Sequence, residues 1–327
     1  MDPQCASWAG PEESAAPRRA CKTTDRLMTS EFNKLPADGA ALLQRAEAVA
    51  TAARDRGALQ SIATAFETLE QDGIRYALRV VDNLRRKQAA SAAQSADKPA
   101  NPFLPYEPAL YVAHVSPGHV LLLNKFNVIE PHLLLVTAGF ESQRAPLSLA
   151  DFEAAAQLNA RLDGLLFYNG GGRAGASQPH KHLQWVPRAL RPDVPGLPVD
   201  TVITPVLSQS RIQHVDALPF AHALQARAPT DTPAMDHARY CALLRAVSID
   251  PDAADGVCEN YNWLMTRRWM MVVPRTQERW DGMSVNALAF AGALLARDAA
   301  EATRIREAGP AAILSAVTRQ AGVSGAP

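Results

Sequence analysis

Neither sign of charge is in excess in this chain: Lys plus Arg and Asp plus Glu each number 33 among 327 residues. Without a global field, nucleic acid and anionic membrane are not expected as partners, and a charged ligand must be met by local groups. Cysteine is scarce. Cys5, Cys21, Cys241 and Cys258 lie far apart with no C-x-x-C pair, which argues against a zinc ribbon and against a disulfide framework. Reduced thiols fit a cytoplasmic protein. No apolar run approaches the ~20 residues of a membrane span, and the N-terminal stretch lacks a hydrophobic signal core. The length suffices for one large domain or two ordinary ones, with a core that needs no staples.

What the chain does have is organised in segments. Residues 1–30 are rich in Pro, Ser, Ala and charge and are expected to be a disordered leader. From Pro36 to Arg56, apolar residues recur at helical spacing and stop at Gly57. A loop through Gln60 and Thr64 leads to Gly73–Leu84, which alternates as an outer strand does, and Gln88–Ala100 is low in complexity and reads as a linker. Ala109–Val115, Gly118–Asn124 and His132–Thr137 predict a β-meander. Ser148–Leu162 predicts a helix with Ser148 as N-cap and Asp151 in its first turn, and Gly164–Tyr168 a short buried strand. The proline-rich passage Pro187–Pro233, with a possible strand at Val199–Leu207, marks a boundary between halves near residue 190. The remainder, to about residue 325, reads as a helix over Asp236–Val247, strands at Asn260–Thr266 and Trp269–Val273, and helices at Ser284–Arg297 and Pro310–Arg319.

The candidate site is Asn169–Gln184, NGGGRAGASQPHKHLQ. A strand alternates its faces, so His180, His182 and Gln184 would form one row with steps of ~6.7 Å. Ahead of them Gly170, Gly171 and Gly172 offer backbone N–H groups free to adopt positive φ, as a chain wrapping a phosphate oxygen requires. Arg173, Ser177 and Gln178 add donors. A glycine turn, donors and imidazoles in this order suggest a phosphoryl group held by the turn and attacked by a histidine. Lys181 and Arg173 read as anion-steering or solvated, and His114, His119 and His132 as packed or surface residues.

The site has an echo. FYN (Phe167–Asn169) followed by HKHLQWVPR ending at Arg188 matches YN (Tyr261, Asn262) followed by RRWMMVVPR ending at Arg275. The second copy has Arg267, Trp269 and Met271 where the first has His180, His182 and Gln184. Two related α+β halves are therefore expected to pack as a pseudo-dimer, a catalytic one over residues 31–190 and a degenerate one over 191–325. The degenerate half would supply Arg267, Arg268 or Arg275 as phosphate donors.

These motifs carry a resemblance. EPHLLLVT, LLFYNGG and GASQPHKHLQWVP look like the histidine-triad superfamily, and GALQSI, NPFLPYE, LLNKFNV, LLLVTAGFESQ, LPFAHA and GMSVNALAFAG extend it across roughly Leu42–Val317. The chain is similar to the diadenosine tetraphosphate phosphorylases, or ATP adenylyltransferases. The resemblance implies an α+β fold of histidine-triad-like antiparallel sheets with flanking helices, related to galactose-1-phosphate uridylyltransferase. It also implies reversible conversion of diadenosine tetraphosphate plus phosphate to ATP plus ADP through an adenylylated histidine. His182 would be the nucleophile, His180 its orienting neighbour by backbone or ring, and Gln184 the replacement for the third histidine of hydrolytic members. An amide cannot shuttle a proton, so Gln184 would hold phosphoryl oxygens while the adenylate waits for phosphate. Asn169 and Ser177 match positions near the transferred phosphate, and Lys125 and Asn127, with Asn124, positions that contact nucleoside or phosphates. A divalent cation, Mg²⁺, would bridge the polyphosphate. Diadenosine polyphosphates, ATP, ADP and phosphate are the implied small-molecule ligands, and a monomer is expected.

Three rivals stay open on sequence. A sugar-1-phosphate nucleotidyltransferase would use the same strand with a hexose phosphate as acceptor, and a nucleotide sensor would bind without reacting. Zinc on His180 and His182 would need a third protein ligand that the sequence does not offer.

Overall fold

The computed structural model describes residues 34–81, 101–191, 193–208, 211–253 and 256–319. The expected leader, the Gln88–Ala100 linker, Cys5 and Cys21 lie outside the described residues. Helix α1 (Gly39–Asp55) is followed by β1 (Thr64–Gln71) and β2 (Ile74–Val81), then the meander β3 (Tyr111–Val115), β4 (His119–Leu123) and β5 (Leu133–Thr137). Helix α2 (Leu149–Arg161) leads into β6 (Gly164–Gly170) and β7 (His182–Pro187). The second half runs α3 (Asp200–Ile203), β8 (Ala223–Ala226), α4 (Pro233–Ala246), β9 (Tyr261–Met265) and β10 (Trp269–Pro274). After the short ribbon β11 (Arg279–Trp280) and β12 (Met283–Ser284) come α5 (Ala287–Phe290), β13 (Ala293–Ala296), α6 (Ala299–Ala308) and α7 (Pro310–Ala316).

The expected capping of α2 is present in full: Ser148 accepts from the Asp151 amide while the Asp151 carboxylate accepts from the Ser148 amide, a capping box. Eight antiparallel strands form one sheet in the order β3-β4-β5-β7-β6-β9-β10-β8. The halves join at β6 and β9, where Asn169 pairs with Asn262 while Tyr168 pairs with Trp263 and Gly170 with Tyr261. On each side of that junction the order repeats: β7 then β5 outside β6, β10 then β8 outside β9. The preceding helices repeat it as well. Helices α2 and α4 meet through Phe152, whose ring lies 5.4 Å from Tyr240 and 5.5 Å from Trp263. The echo read from the sequence is thus an intramolecular pseudo-two-fold.

Alternation along β7 divides the interior. Leu183 and Trp185 join the core under α1, α2 and α4, with Leu42, Leu158, Leu243 and Trp263. Val186 joins the core on the other face, with Phe167, Met271, Phe290 and Ile305. Each large apolar side chain buried this way contributes roughly 1.5–3 kcal/mol. On that second face a small satellite of Phe103, Val120, Leu122, Leu134 and Val136 surrounds the candidate site.

Several expectations are corrected. Thr64–Gln71 is a strand: Asp72 and Gly73, with φ of 50° and 77°, make the tight turn of a hairpin, and β2 lies between β1 and β13 instead of at an edge. Val199–Leu207 is a short helix plus a 3-10 turn (Thr204–Val206). Ser284–Arg297 is not one helix, because Gly292 at φ 95° breaks it and Ala293–Ala296 then pairs in parallel with β2. Tertiary pairing overrides the helical propensity of its Ala and Leu residues there. Strand β8 and helix α6, the latter capped by Asp298, were not anticipated.

Candidate functional site

The H-x-H-x-Q segment begins just before β7. His180 is fully buried. Its Nε2 lies 2.9 Å from the Thr137 carbonyl, which can only accept, so Nε2 carries the hydrogen and Nδ1 accepts from the Asn101 amide at 3.0 Å. Both ring nitrogens are therefore used. His182 is 4% exposed, with Nδ1 2.8 Å from the His180 carbonyl. By the same reasoning Nδ1 is the protonated nitrogen, and the Nε2 lone pair has no partner among the described residues. Burial holds this imidazole at about 4, against an ordinary 6.5, with the bond to the His180 carbonyl opposing only in part. At neutral pH the ring is an uncharged imidazole with one nitrogen fixed and the other open. His180 supports His182 through its backbone. Since His180 has no free nitrogen, the pair cannot chelate a metal in this arrangement, and no group of three or more metal-ligating side chains occurs among the described residues.

Gln184 has a partner that sequence reading passed over. His132 donates from Nε2 to Gln184 Oε1 at 2.9 Å and accepts at Nδ1 from the Asn124 amide at 3.1 Å. This relay leaves the Gln184 NH₂ group without a partner among the described residues. Burial also holds His132 at about 4, neutral at pH 7. The sequence signal was its position in EPHLLLVT, directly ahead of a central strand. His132 and Asn124 also line a pocket of about 280 Å³ between α1 and the sheet, with Leu43, Ala46, Ala50, Leu123, Asn127 and Glu130 among its walls.

The glycine turn differs from an open anion nest. Gly171 and Gly175 have φ of 90° and 87°, but the amides of Ala174, Gly175 and Ala176 donate back into the turn, and that of Arg173 donates to Asn260 Oδ1. Gly170 and Gly171 are required by close packing, whereas a Cβ on Gly172 would meet nothing within 4 Å. A Cβ on Gly170 would stand 2.8 Å from the Tyr261 ring and one on Gly171 2.5 Å from Asn260 Oδ1. Arg173 and Ser177 are exposed, and with Gln178 their side chains have no partner among the described residues. Asn169 is buried, its Oδ1 accepting from Asn262 at 2.8 Å and from the Ala287 amide at 3.0 Å.

Arg275, expected as a phosphate donor, has no donor left for one. Its five N–H groups reach the carbonyls of Val317, Ala174, Gln277 and Glu278 and the Asn262 side chain. Arg267 caps the end of α2 at the Asn159 and Ala160 carbonyls. The degenerate half thus braces the glycine turn, through Arg275, Asn262 and Asn260, and the guanidinium groups of Arg267 and Arg275 are spent on backbone carbonyls and Asn262. Lys125 is paired with Glu107 at 3.0 Å, and Asn127 is held by Ser61, Glu130 and the Ile129 carbonyl. Lys181, read as steering or solvated, is buried and ion-paired to Asp151 and Glu141.

An α+β pseudo-dimer with one reactive H-x-H-x-Q strand defines a nucleotidyltransferase of the histidine-triad-like class. Comparison with known proteins agrees. The family described as Ap4A phosphorylase N-terminal domain matches residues 33–205, and that described as ATP adenylyltransferase C-terminal domain matches 216–320. Diadenosine 5',5'''-P1,P4-tetraphosphate phosphorylase 2 of Saccharomyces cerevisiae is 31% identical over 232 residues, which cover 62% of this chain and 71% of that protein. The crystal structure of yeast Ap4A phosphorylase Apa2 superposes with a TM-score of 0.72 at 22% identity, covering 88% of this chain and 96% of that one. The same enzyme in complex with Ap4A gives 0.70 at 23% identity, covering 85% and 97%. The chain belongs to the Ap4A phosphorylase family. No helix among the described residues is long and apolar enough to cross a membrane.

Proposed function

We propose that this protein catalyses the reversible phosphorolysis of diadenosine tetraphosphate to ATP and ADP through an adenylylated His182. The observation that carries the reading is the 2.8 Å bond from His182 Nδ1 to the His180 carbonyl, which aims the Nε2 lone pair outward on a neutral ring. Nε2 attacks the phosphorus nearest one adenosine. The N–P bond forms as the bond to the bridging oxygen breaks, and ATP leaves. The His180 carbonyl, accepting from Nδ1–H, stabilises the positive charge that the ring acquires. Phosphate oxygen then attacks the same phosphorus, the N–P bond breaks, and ADP leaves with the imidazole neutral again.

Gln184, oriented by His132, offers its NH₂ to the non-bridging oxygens through both steps without changing charge. The neighbouring imidazoles, His132 and His180, have both ring nitrogens engaged and do not serve as a base for water, so the adenylate waits for an acceptor that is already an anion. Arg173, Ser177 and Gln178 lie free for the polyphosphate. Mg²⁺ would enter with the substrate, carried by the polyphosphate.

The test is product analysis with the purified protein. Equal ATP and ADP should form from diadenosine tetraphosphate only when phosphate is present. Release of AMP at the same rate without phosphate would overturn the proposal, and discharge by a hexose phosphate instead would point to a sugar nucleotidyltransferase.

A further inference from the structure

Strands β6 and β7 pair from Gly164 opposite Pro187 to Phe167 opposite Gln184, and there the ladder stops. Two residues further along the register Asn169 would stand opposite His182. Instead β6 continues against β9 only, through Asn169–Asn262 and Gly170–Tyr261, while β7 continues against β5 through Val136–His182. The side chain of Gln143, 2% exposed, bridges the gap. Its Oε1 accepts from the His182 amide at 2.8 Å, and its Nε2 donates to the Asn169 carbonyl at 2.9 Å and the His182 carbonyl at 3.3 Å. A backbone N–H can only donate, so the amide cannot sit the other way round. One side chain replaces the bonds that a continuing ladder would have made.

Gln143 is itself held from both sides. Its amide donates to the Pro179 carbonyl at 2.8 Å and its carbonyl accepts from the Tyr168 hydroxyl at 2.7 Å. Among the described residues the second half has no such wedge. There Asn262 pairs directly with Val273 and Tyr261 with Pro274, and the ladder reaches Met265–Met270 beside a tight turn. The interruption thus occurs in the half that carries the imidazole and is absent from the half that lost it.

We infer that Gln143 is a positioning residue: its amide wedges β6 and β7 apart at His182 and so sets the nucleophile's place relative to the glycine turn that leaves β6. This rests on His182 as the nucleophile. The chemistry selects glutamine, because the gap needs an acceptor and a donor on one planar group. Methionine would fill the space but leave the His182 N–H and the Asn169 carbonyl buried and unpaired. An ionised glutamate would keep the acceptor and repel the Asn169 carbonyl. Asparagine is one methylene too short to reach both strands.

The experiment compares wild type, Gln143→Met, Gln143→Glu and Gln143→Asn for thermal stability and for kcat and KM in phosphorolysis of diadenosine tetraphosphate. Displacing a nucleophile by about 1 Å costs on the order of 100-fold in rate. Folded Gln143→Met and Gln143→Glu should therefore lose kcat by that order with KM little changed, and Gln143→Asn should recover only part of it. A purely structural glutamine would lower Tm and leave kcat per folded molecule intact, and that result overturns the inference. Should Gln143→Met not fold, Gln143→Glu, which preserves shape and the bond to His182, decides alone. A wild type that forms no ATP and ADP would instead overturn the reading of His182, and this inference with it.

Discussion

Replacing Lys181 by methionine keeps the length of the side chain and removes the charge that ties the H-x-H-x-Q segment to α2. The ammonium lies 2.6 Å from Glu141, 3.1 Å from Asp151 and 3.2 Å from the Pro146 carbonyl, and Lys181 is 1% exposed. Asp151 is equally buried. Burial alone would push its carboxyl up, yet the His119 hydrogen bond and the Lys181 charge together hold it at about 2, below the ordinary 3.8. That difference corresponds to about 2 kcal/mol in favour of the ionised form. The contribution is complete at any pH above 3.8 and is lost as pH falls through about 2, so a measurement at pH 7 sees all of it. Removing one partner of a buried pair costs ~3–5 kcal/mol when the other is left alone. Here His119 at 2.8 Å and the Ser148 amide at 2.7 Å still hold Asp151, so the loss should be smaller. We expect about 2–3 kcal/mol, a drop in Tm of roughly 4–12 °C for a domain of this size. Thermal denaturation of wild type, Lys181→Met, Asp151→Asn and the double variant supplies the assay. The double variant should lose less than the sum of the singles, because no buried carboxylate is orphaned in it and Glu141 is half exposed. An unchanged Tm in Lys181→Met would place the side chain in solvent and refute the buried network.

Two further outcomes follow from the site. Because burial holds His182 at about 4, kcat/KM should persist through mildly acidic pH and fall only as the ring protonates near that value; an acid limb at 6.5 would mean a solvated imidazole. Gln184→His places an imidazole against His132 and the waiting adenylate, and AMP release without phosphate should rise. If it does not, Gln184 has no part in the choice of acceptor.

The central β-meander, α2 with its Ser148 cap and the two VPR strands were legible because each buries a clear period or carries a cap. Strand β1 was not, since Thr64–Gln71 presents a half-polar pattern on a sheet whose third member comes from residues more than two hundred positions later. Its clue was the Asp72-Gly73 dipeptide. Ser284–Arg297 failed for the opposite reason, a helical composition cut by one positive-φ glycine. At the site, sequence placed His180, His182 and Gln184 in one short run, but alternation could not tell that His180 serves by its carbonyl. Nor could it show that Lys181 points into an ion pair. His132 and Gln143 reach β7 from other segments, and contacts across such separations leave no local period to read.

The most direct measurement is intact mass of the protein after incubation with diadenosine tetraphosphate in the absence of phosphate. The expected result is a single adenylate on His182, discharged as ADP when phosphate is added and absent from His182→Ala. Phosphorolysis that proceeds with no adduct, or with His182→Ala as active as wild type, would contradict a mechanism through this histidine.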